Sequence, residues 1–321
     1  MTPRPPRAGR PLTARLRPLV ATVLVGATLA VGACSSSADR PPTFLAPQPT
    51  GSGVDWLPTE SPAPSPSPSI SPQPTRSPTA KPTRTPTVSP SPVVKDLAWY
   101  TARLPKFGPR PTATPINVDS GTSSPVWFKV PTTQKVAFLT IDDGATRHPM
   151  ALPLLKASGI RMTLFLTVIY AQKNPAYFRD LQKAGAVIEN HTLTHTSLRG
   201  KTYEFQKNEI CGAADRLGEL FGRRPTLFRP PYGNYDAVTL KVARECGQKV
   251  VFYWTETVDK GVIRYQTSDH TIRPGHVVLM HFRPAYPDDF LATLVKMKQS
   301  GVQPALLEEY VSGACAGACK S

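Results

Sequence analysis

The chain has 321 residues, room for one or two domains, and a formal charge of +16 from 38 Lys and Arg against 22 Asp and Glu. Much of that excess lies outside the part that reads as globular: residues 116–321 hold 25 Lys and Arg and 18 Asp and Glu, a net +7 that is scattered rather than striped. No DNA- or RNA-binding motif accompanies it, so nucleic acid is excluded as the expected partner.

Residues 1–33 read as an export signal. Arg4, Arg7, Arg10, Arg15 and Arg17 form an acid-free basic region, and Leu19–Val31 is an apolar run too short to span a bilayer comfortably. The run ends Val31-Gly32-Ala33-Cys34, which resembles a bacterial lipobox and implies a lipid on Cys34 as the membrane anchor. Residues 34–115 are rich in Pro, Ser and Thr; 20 of the 37 prolines lie between Arg40 and Asn117. With too few apolar side chains to offset ordering entropy, this stretch is expected to be an extended linker reaching on the order of 200 Å at polyproline spacing. The expected location is therefore outside the cytoplasm, anchored on the membrane and facing the cell wall.

Residues 116–321 read as the folded domain. Strands are expected over Lys135–Ile141, Met162–Val168, Ala186–Asn190, Thr226–Arg229, Lys249–Tyr253, Val277–Met280 and Val302–Leu306. Helices fall between them: Pro149–Ser158, a segment opened by Asn174-Pro175 and closed at Gly185, Tyr203–Phe221, Asp236–Gly247, and one capped by Asp288 and stopped by Gly301. Strands alternating with helices predict an α/β fold with about seven parallel strands, an incomplete or distorted (β/α) barrel. Four cysteines besides Cys34 allow three disulfide connectivities. Pairing Cys315 with Cys319 and Cys211 with Cys246 is favoured over a Cys-x-x-x-Cys zinc site, which has no second pair nearby.

Polar clusters collect at the predicted strand ends. Asp142 and Asp143 end the first strand, His191 and His195 follow the third, Arg229-Pro230-Pro231-Tyr232 ends the fourth, and Leu279-Met280-His281 ends the sixth. In a barrel these ends share one face. An Asp with two His would leave a zinc ion an open position for water, as catalytic sites do.

In order, T-I-D-D-G, H-T-L-T-H, R-P-P-Y and L-M-H resemble the motifs of the NodB-homology polysaccharide deacetylases, carbohydrate esterase family 4. The resemblance spans roughly residues 135–310. It implies that Asp143, His191 and His195 hold Zn2+ or another divalent ion such as Co2+, and that Asp142 is the general base, paired with Arg229. It further implies that the Tyr232 N–H holds the oxyanion, that Leu279 lines the acetyl pocket, and that His281 is the general acid. The fourth motif departs: Glu256 stands at its first acidic position, Asp259 is retained, and Lys260 replaces a tryptophan. Asp259 is expected to pair with Arg229 or to support His281, and an inward Lys260 would lower the pKa of His281.

The function so implied is removal of acetyl groups from N-acetylated sugars of a cell-surface polysaccharide, peptidoglycan foremost, by a monomer. Alternatives are an O-acetyl xylan esterase, or a lipid-anchored glycan-binding protein whose catalysis was lost at Lys260.

Overall fold

The computed structural model describes residues 94–118, 121–315 and 319. The expected export signal, the Cys34 anchor and the linker up to residue 93 lie outside the described residues. In chain order the elements are α1 (Leu97–Thr101), β1 (Val126–Trp127), β2 (Val136–Asp143), α2 (Ala151–Ser158), β3 (Met162–Leu166), α3 (Val168–Ala171), α4 (Pro175–Lys183) and β4 (Ala186–Asn190). There follow α5 (Tyr203–Lys207), a π-helical turn (Asn208–Gly212), α6 (Ala213–Phe221), β5 (Leu227–Phe228), a 3-10 turn (Pro231–Gly233), α7 (Ala237–Glu245) and β6 (Val250–Phe252). The chain continues through β7 (Glu256–Asp259), β8 (Val262–Tyr265), β9 (Val277–His281), α8 (Tyr286–Gln299), β10 (Gln303–Ala305) and α9 (Leu307–Tyr310).

These strands form one sheet in the order β1-β6-β5-β4-β3-β2-β9-β7-β8, with β10 pairing the start of β2. Every pairing is parallel except the β7–β8 hairpin. An antiparallel bridge from Lys129, just past β1, to His276, just before β9, brings one edge of the sheet back toward its middle. The sheet is thereby curled into the incomplete barrel that the strand–helix alternation predicts. Its seven expected parallel strands are β2, β3, β4, β5, β6, β9 and β10.

Alternation along the strands sorts two apolar layers. Ala137, Leu139 and Ile141 of β2 face outward and pack with Leu154, Phe178, Leu217 and Phe290 of the surrounding helices. Val136 and Phe138 face inward with Phe165, Leu227, Phe252 and Val277, and Tyr310 of α9 meets Phe138 edge-on at 5.2 Å. Each such large apolar side chain contributes roughly 1.5–3 kcal/mol on full burial. The same alternation turns Thr140 and Asp142 into the barrel, and likewise Leu279 and His281 two and four residues beyond Val277.

Four expectations are corrected. The folded unit begins before Ile116: α1 and the segment after it lie on the domain. Tyr100 is buried and hydrogen-bonds Asp288 at 2.9 Å, while Trp99, Leu104 and Phe107 pack on the outer layer. Proline content suggested a linker here, but these four side chains supply enough apolar surface to dock it. Asp288 does not cap α8, whose cap is Ala285, because its carboxylate is taken by Lys95 and Tyr100. The helix expected over Tyr203–Phe221 is interrupted by the π-turn, and α1, α3, α9, β1 and the hairpin were not foreseen. Asn174 and Asp236 do cap their helices, Asp236 in a reciprocal box with Thr239. Both favoured disulfides form, Cys211–Cys246 and Cys315–Cys319, with Cα separations of 4.9 and 5.2 Å. No described helix is long and apolar enough to cross a membrane.

Candidate metal centre and catalytic site

At the end of β2 the two aspartates part company. Asp142 continues the inward face and is buried; Asp143 follows with φ +76° and Gly144 with φ +89°. Only glycine fits at 144, since a Cβ there would stand 2.9 Å from the Phe178 ring. The left-handed turn aims the Asp143 carboxylate sideways, toward the loop after β4.

That loop carries both histidines. His191 is buried and its Nδ1 lies 2.6 Å from the Arg229 carbonyl, which fixes the ring and leaves Nε2 to face the carboxylates. His191 Nε2 stands 3.5 Å from Asp143 Oδ1 and 3.8 Å from Asp142 Oδ2, and His195 Nε2 stands 3.1 Å from Asp143 Oδ1. One ligand atom from each of Asp143, His191 and His195 falls within 4.8 Å of the others. Asp143 Oδ1 is buried and accepts no hydrogen bond of acceptable geometry. Two imidazole nitrogens and an orphaned carboxylate oxygen, converging on one point, fit a divalent cation and suit zinc.

Electrostatics agrees. Burial pushes the Asp143 carboxyl up, but the two histidines outweigh it and hold it well below the usual carboxylate range. Burial would depress His191, yet Asp142 and Asp143 together raise it above an ordinary histidine. The negative charge of Asp142 is matched by Arg229, so that of Asp143 remains to meet a cation.

Arg229 is fully buried and held on every side. Its Nη1 donates to Asp142 Oδ1 at 2.7 Å and Thr140 Oγ1 at 2.8 Å, Nη2 to the Tyr253 carbonyl, and Nε to the Phe252 carbonyl. The guanidinium lies 4.3 Å from the Phe165 ring centroid. Asp142 Oδ1 is thus pinned, with Oδ2 on the ligand side. Asp142 and His281 are register partners on β2 and β9, so the proposed base and acid stand on adjacent strands. Burial holds His281 below the ordinary histidine range, with Arg283 adding to the effect and the two aspartates opposing it. Leu279 is buried on the same strand face as His281. Tyr232 is exposed, with φ +59°; its hydroxyl lies 3.2 Å from His195 Nδ1. Among the described residues, Asp143, Thr192, His195 and Tyr232 are four of the five non-glycine residues at positive φ. Backbone strain of roughly 1–3 kcal/mol each concentrates at this one rim, as it does at functional sites.

The fourth motif is arranged differently from expectation. Asp259 reaches neither Arg229, whose donors are committed elsewhere, nor His281; it pairs with Arg283 at 2.7 Å and Arg264 at 3.8 Å. Lys260 is exposed in the β7–β8 turn, and the cation bearing on His281 is Arg283. Glu256 is buried against His276 at 2.6 Å, away from the site. Arg283 and the Tyr232 hydroxyl are contributions that motif matching missed. Arg283 lies two residues past the L-M-H motif, a distance at which no spacing rule marks it.

The rim of the barrel thus carries a candidate metal site. Residues 129–251 match the polysaccharide deacetylase family model. The chain is 43% identical over 157 residues to the uncharacterized Streptomyces coelicolor protein SCO4760, covering 48% of this chain and 62% of that one. It is 32% identical over 163 residues to a Bacillus cereus peptidoglycan-N-acetylglucosamine deacetylase, covering 49% and 59%. The matches thus span about three-fifths of these two relatives. Among solved structures, the Bc1960 peptidoglycan N-acetylglucosamine deacetylase superposes with a TM-score of 0.51 at 26% identity, over 58% of this chain and 92% of that one. A Bacillus anthracis protein described as a CE4 family pseudoenzyme superposes at 0.52 with 20% identity, over 58% and 69%, a likeness of fold alone.

Proposed function

We propose that this chain is a metal-dependent hydrolase that removes acetyl groups from N-acetylated sugars of a cell-surface polysaccharide, peptidoglycan foremost. The observation that carries the reading is the split of the Asp pair: Asp143 converges with His191 and His195, while Asp142 is pinned beside them by Arg229. A zinc or similar ion held by Asp143, His191 and His195 would lower the pKa of water toward about 7 and polarise the acetyl oxygen. Asp142 takes the proton of the attacking water at Oδ2, Arg229 holding that carboxylate in place. The Tyr232 N–H, offered by its left-handed backbone, hydrogen-bonds the oxyanion, a donor typically worth roughly 3 kcal/mol of barrier. His281 hands a proton to the leaving amine from its Nε2 or Nδ1. Leu279 lines the acetyl pocket. Asp259 acts at one remove, neutralising Arg283 next to His281.

The test is acetate release by the full chain from N-acetylglucosamine oligomers and from peptidoglycan, with zinc and then with chelator. Release is expected to require the metal and to fall about 10²–10⁴-fold in Asp142→Asn, the usual loss for a general base. Zinc binding without acetate release from either substrate would refute deacetylation of these glycans and favour a glycan-binding role, to which the rearranged fourth motif would then belong.

The sequence of residues 1–34 supports export and lipidation at Cys34, and the Pro/Ser/Thr-rich stretch after it supports a tether for a monomeric domain at the cell wall. Cys34→Ala should then release the protein from the membrane fraction.

A further inference from the structure

The loop that carries both histidine ligands is held from behind by an element that no motif includes. Between β4 and α5, Leu193 N–H donates to the Glu209 carbonyl at 3.2 Å, and the buried Asn190 side chain donates to the Ile210 carbonyl at 2.9 Å. The Glu209 carboxylate is buried, 2% exposed, and takes two donors from a single residue: Thr194 N–H at 3.0 Å and Thr194 Oγ1 at 2.8 Å. Thr194 immediately precedes His195. The carbonyls of Glu209 and Ile210 belong to the π-helical turn Asn208–Gly212, the irregular stretch between α5 and α6. Its widened register sets them and the Glu209 side chain toward the loop. Gly212 completes the fit, because a Cβ there would lie 3.1 Å from Leu193 Cδ1. The turn is itself covalently fixed: Cys211 within it is bonded to Cys246 at the end of α7.

We propose that Glu209 is a positioning residue for the metal centre, and that the disulfide-clamped π-turn is the template on which the ligand loop takes its strained shape. The proposal rests on the reading that Asp143, His191 and His195 bind a divalent cation. Thr192 and His195 both sit at positive φ, and His195 N–H reaches back to Thr192 Oγ1 at 3.1 Å. A loop so strained relaxes unless it is held from outside. Glu209 supplies that hold with two charge-assisted hydrogen bonds one residue from the ligand, and the bond at Cys211 keeps the turn from sliding back to α-helical register.

The experiment titrates Co2+ into the metal-free full chain, reading its visible absorption, and measures zinc affinity by competition with a chromophoric chelator. Glu209→Ala should weaken both metals about 10- to 100-fold, the usual cost of losing a residue that orients a ligand, and should alter the Co2+ spectrum. Glu209→Gln keeps an acceptor for the Thr194 N–H and should recover most of the affinity. Cys211→Ser/Cys246→Ser should shift affinity in the same direction by a smaller factor. A Glu209→Ala protein with wild-type circular dichroism, Co2+ spectrum and affinity would overturn the proposal. So would a loss of affinity with an unchanged spectrum that tracks the unfolded fraction in thermal melts. A wild-type chain that binds neither metal would instead overturn the metal-site reading itself, and this proposal with it.

Discussion

The barrel holds two buried arginine–carboxylate clusters, one at each end, and they have opposite fates. At the rim, Arg229 pairs with Asp142, and a second acid, Asp143, stands beside them. At the base, Arg223, which precedes β5, pairs with Glu189, whose other oxygen accepts the backbone N–H groups of Thr226 and Leu227. A second acid, Glu308 of the base-plugging α9, lies nearby, accepting from Thr163 Oγ1 at 2.9 Å. The first acid of each pair is satisfied in much the same way. The second acids differ. Asp143 has two imidazoles around it and is held strongly acidic, which suits it to a cation. Glu308 has no cation to spare: burial, and then the charge of Glu189, raise it well above the ordinary glutamate, so it keeps a proton. Paired acids in a barrel therefore do not by themselves mark a catalytic site. What surrounds the second acid decides between a metal centre and a neutral structural hydrogen bond.

Variants at the two ends should separate accordingly. The largest effect is expected from Asp143→Ala, which removes a ligand: metal binding should be lost in calorimetric titration and acetate release should fall about a thousandfold, some 4 kcal/mol of barrier. The melting temperature of the metal-free protein should barely change. Arg223→Ala should do the reverse. Leaving Glu189 buried without its partner should cost about 3–5 kcal/mol of stability in denaturant titration, while activity per folded molecule stays unchanged. Glu308→Gln should have the smallest effect, and one that depends on pH. The folded-state pKa of Glu308 is raised, so its contribution to stability is complete below the unfolded value near 4.5 and is lost as pH rises through the folded value. A glutamine cannot ionise. Its melting temperature should match wild type in acid and gain on it as pH rises, by about 2–4 °C for each kcal/mol of linkage removed. A constant gap across pH would mean that Glu308 is ionised in the fold, and the contrast between the two ends would collapse.

Much of the candidate site was legible beforehand because its polar groups sit at strand ends, and strand ends show in sequence as an apolar β-branched run that stops. Val136–Asp143, Ala186–His191 and Val277–His281 each read that way, and the parallel topology then places their ends on one rim. The family resemblance implied different roles for Asp142 and Asp143, and the fold sets their side chains apart through the left-handed turn at Asp143-Gly144. The fourth motif was misjudged because the strand that Asp259 ends turns straight back as a hairpin at Lys260. Hairpin register turned Lys260 to solvent and gave Asp259 to Arg283.

By itself the sequence determined the strand–helix alternation, the caps at Asn174 and Asp236, and the placing of carboxylates and imidazoles in the D-D-G and H-T-L-T-H segments. These depend on local periodicity and on side chains a few residues apart. Only the tertiary structure decided that Trp99 and Tyr100 dock the chain ahead of the domain, that Glu209 stands behind His195, and that Glu308 comes to lie near Glu189 in the barrel's base. Each joins groups whose separation in sequence carries no period. Burial, which sets both the worth of a hydrogen bond and the charge state of an acid, is fixed only when the whole sheet has curled.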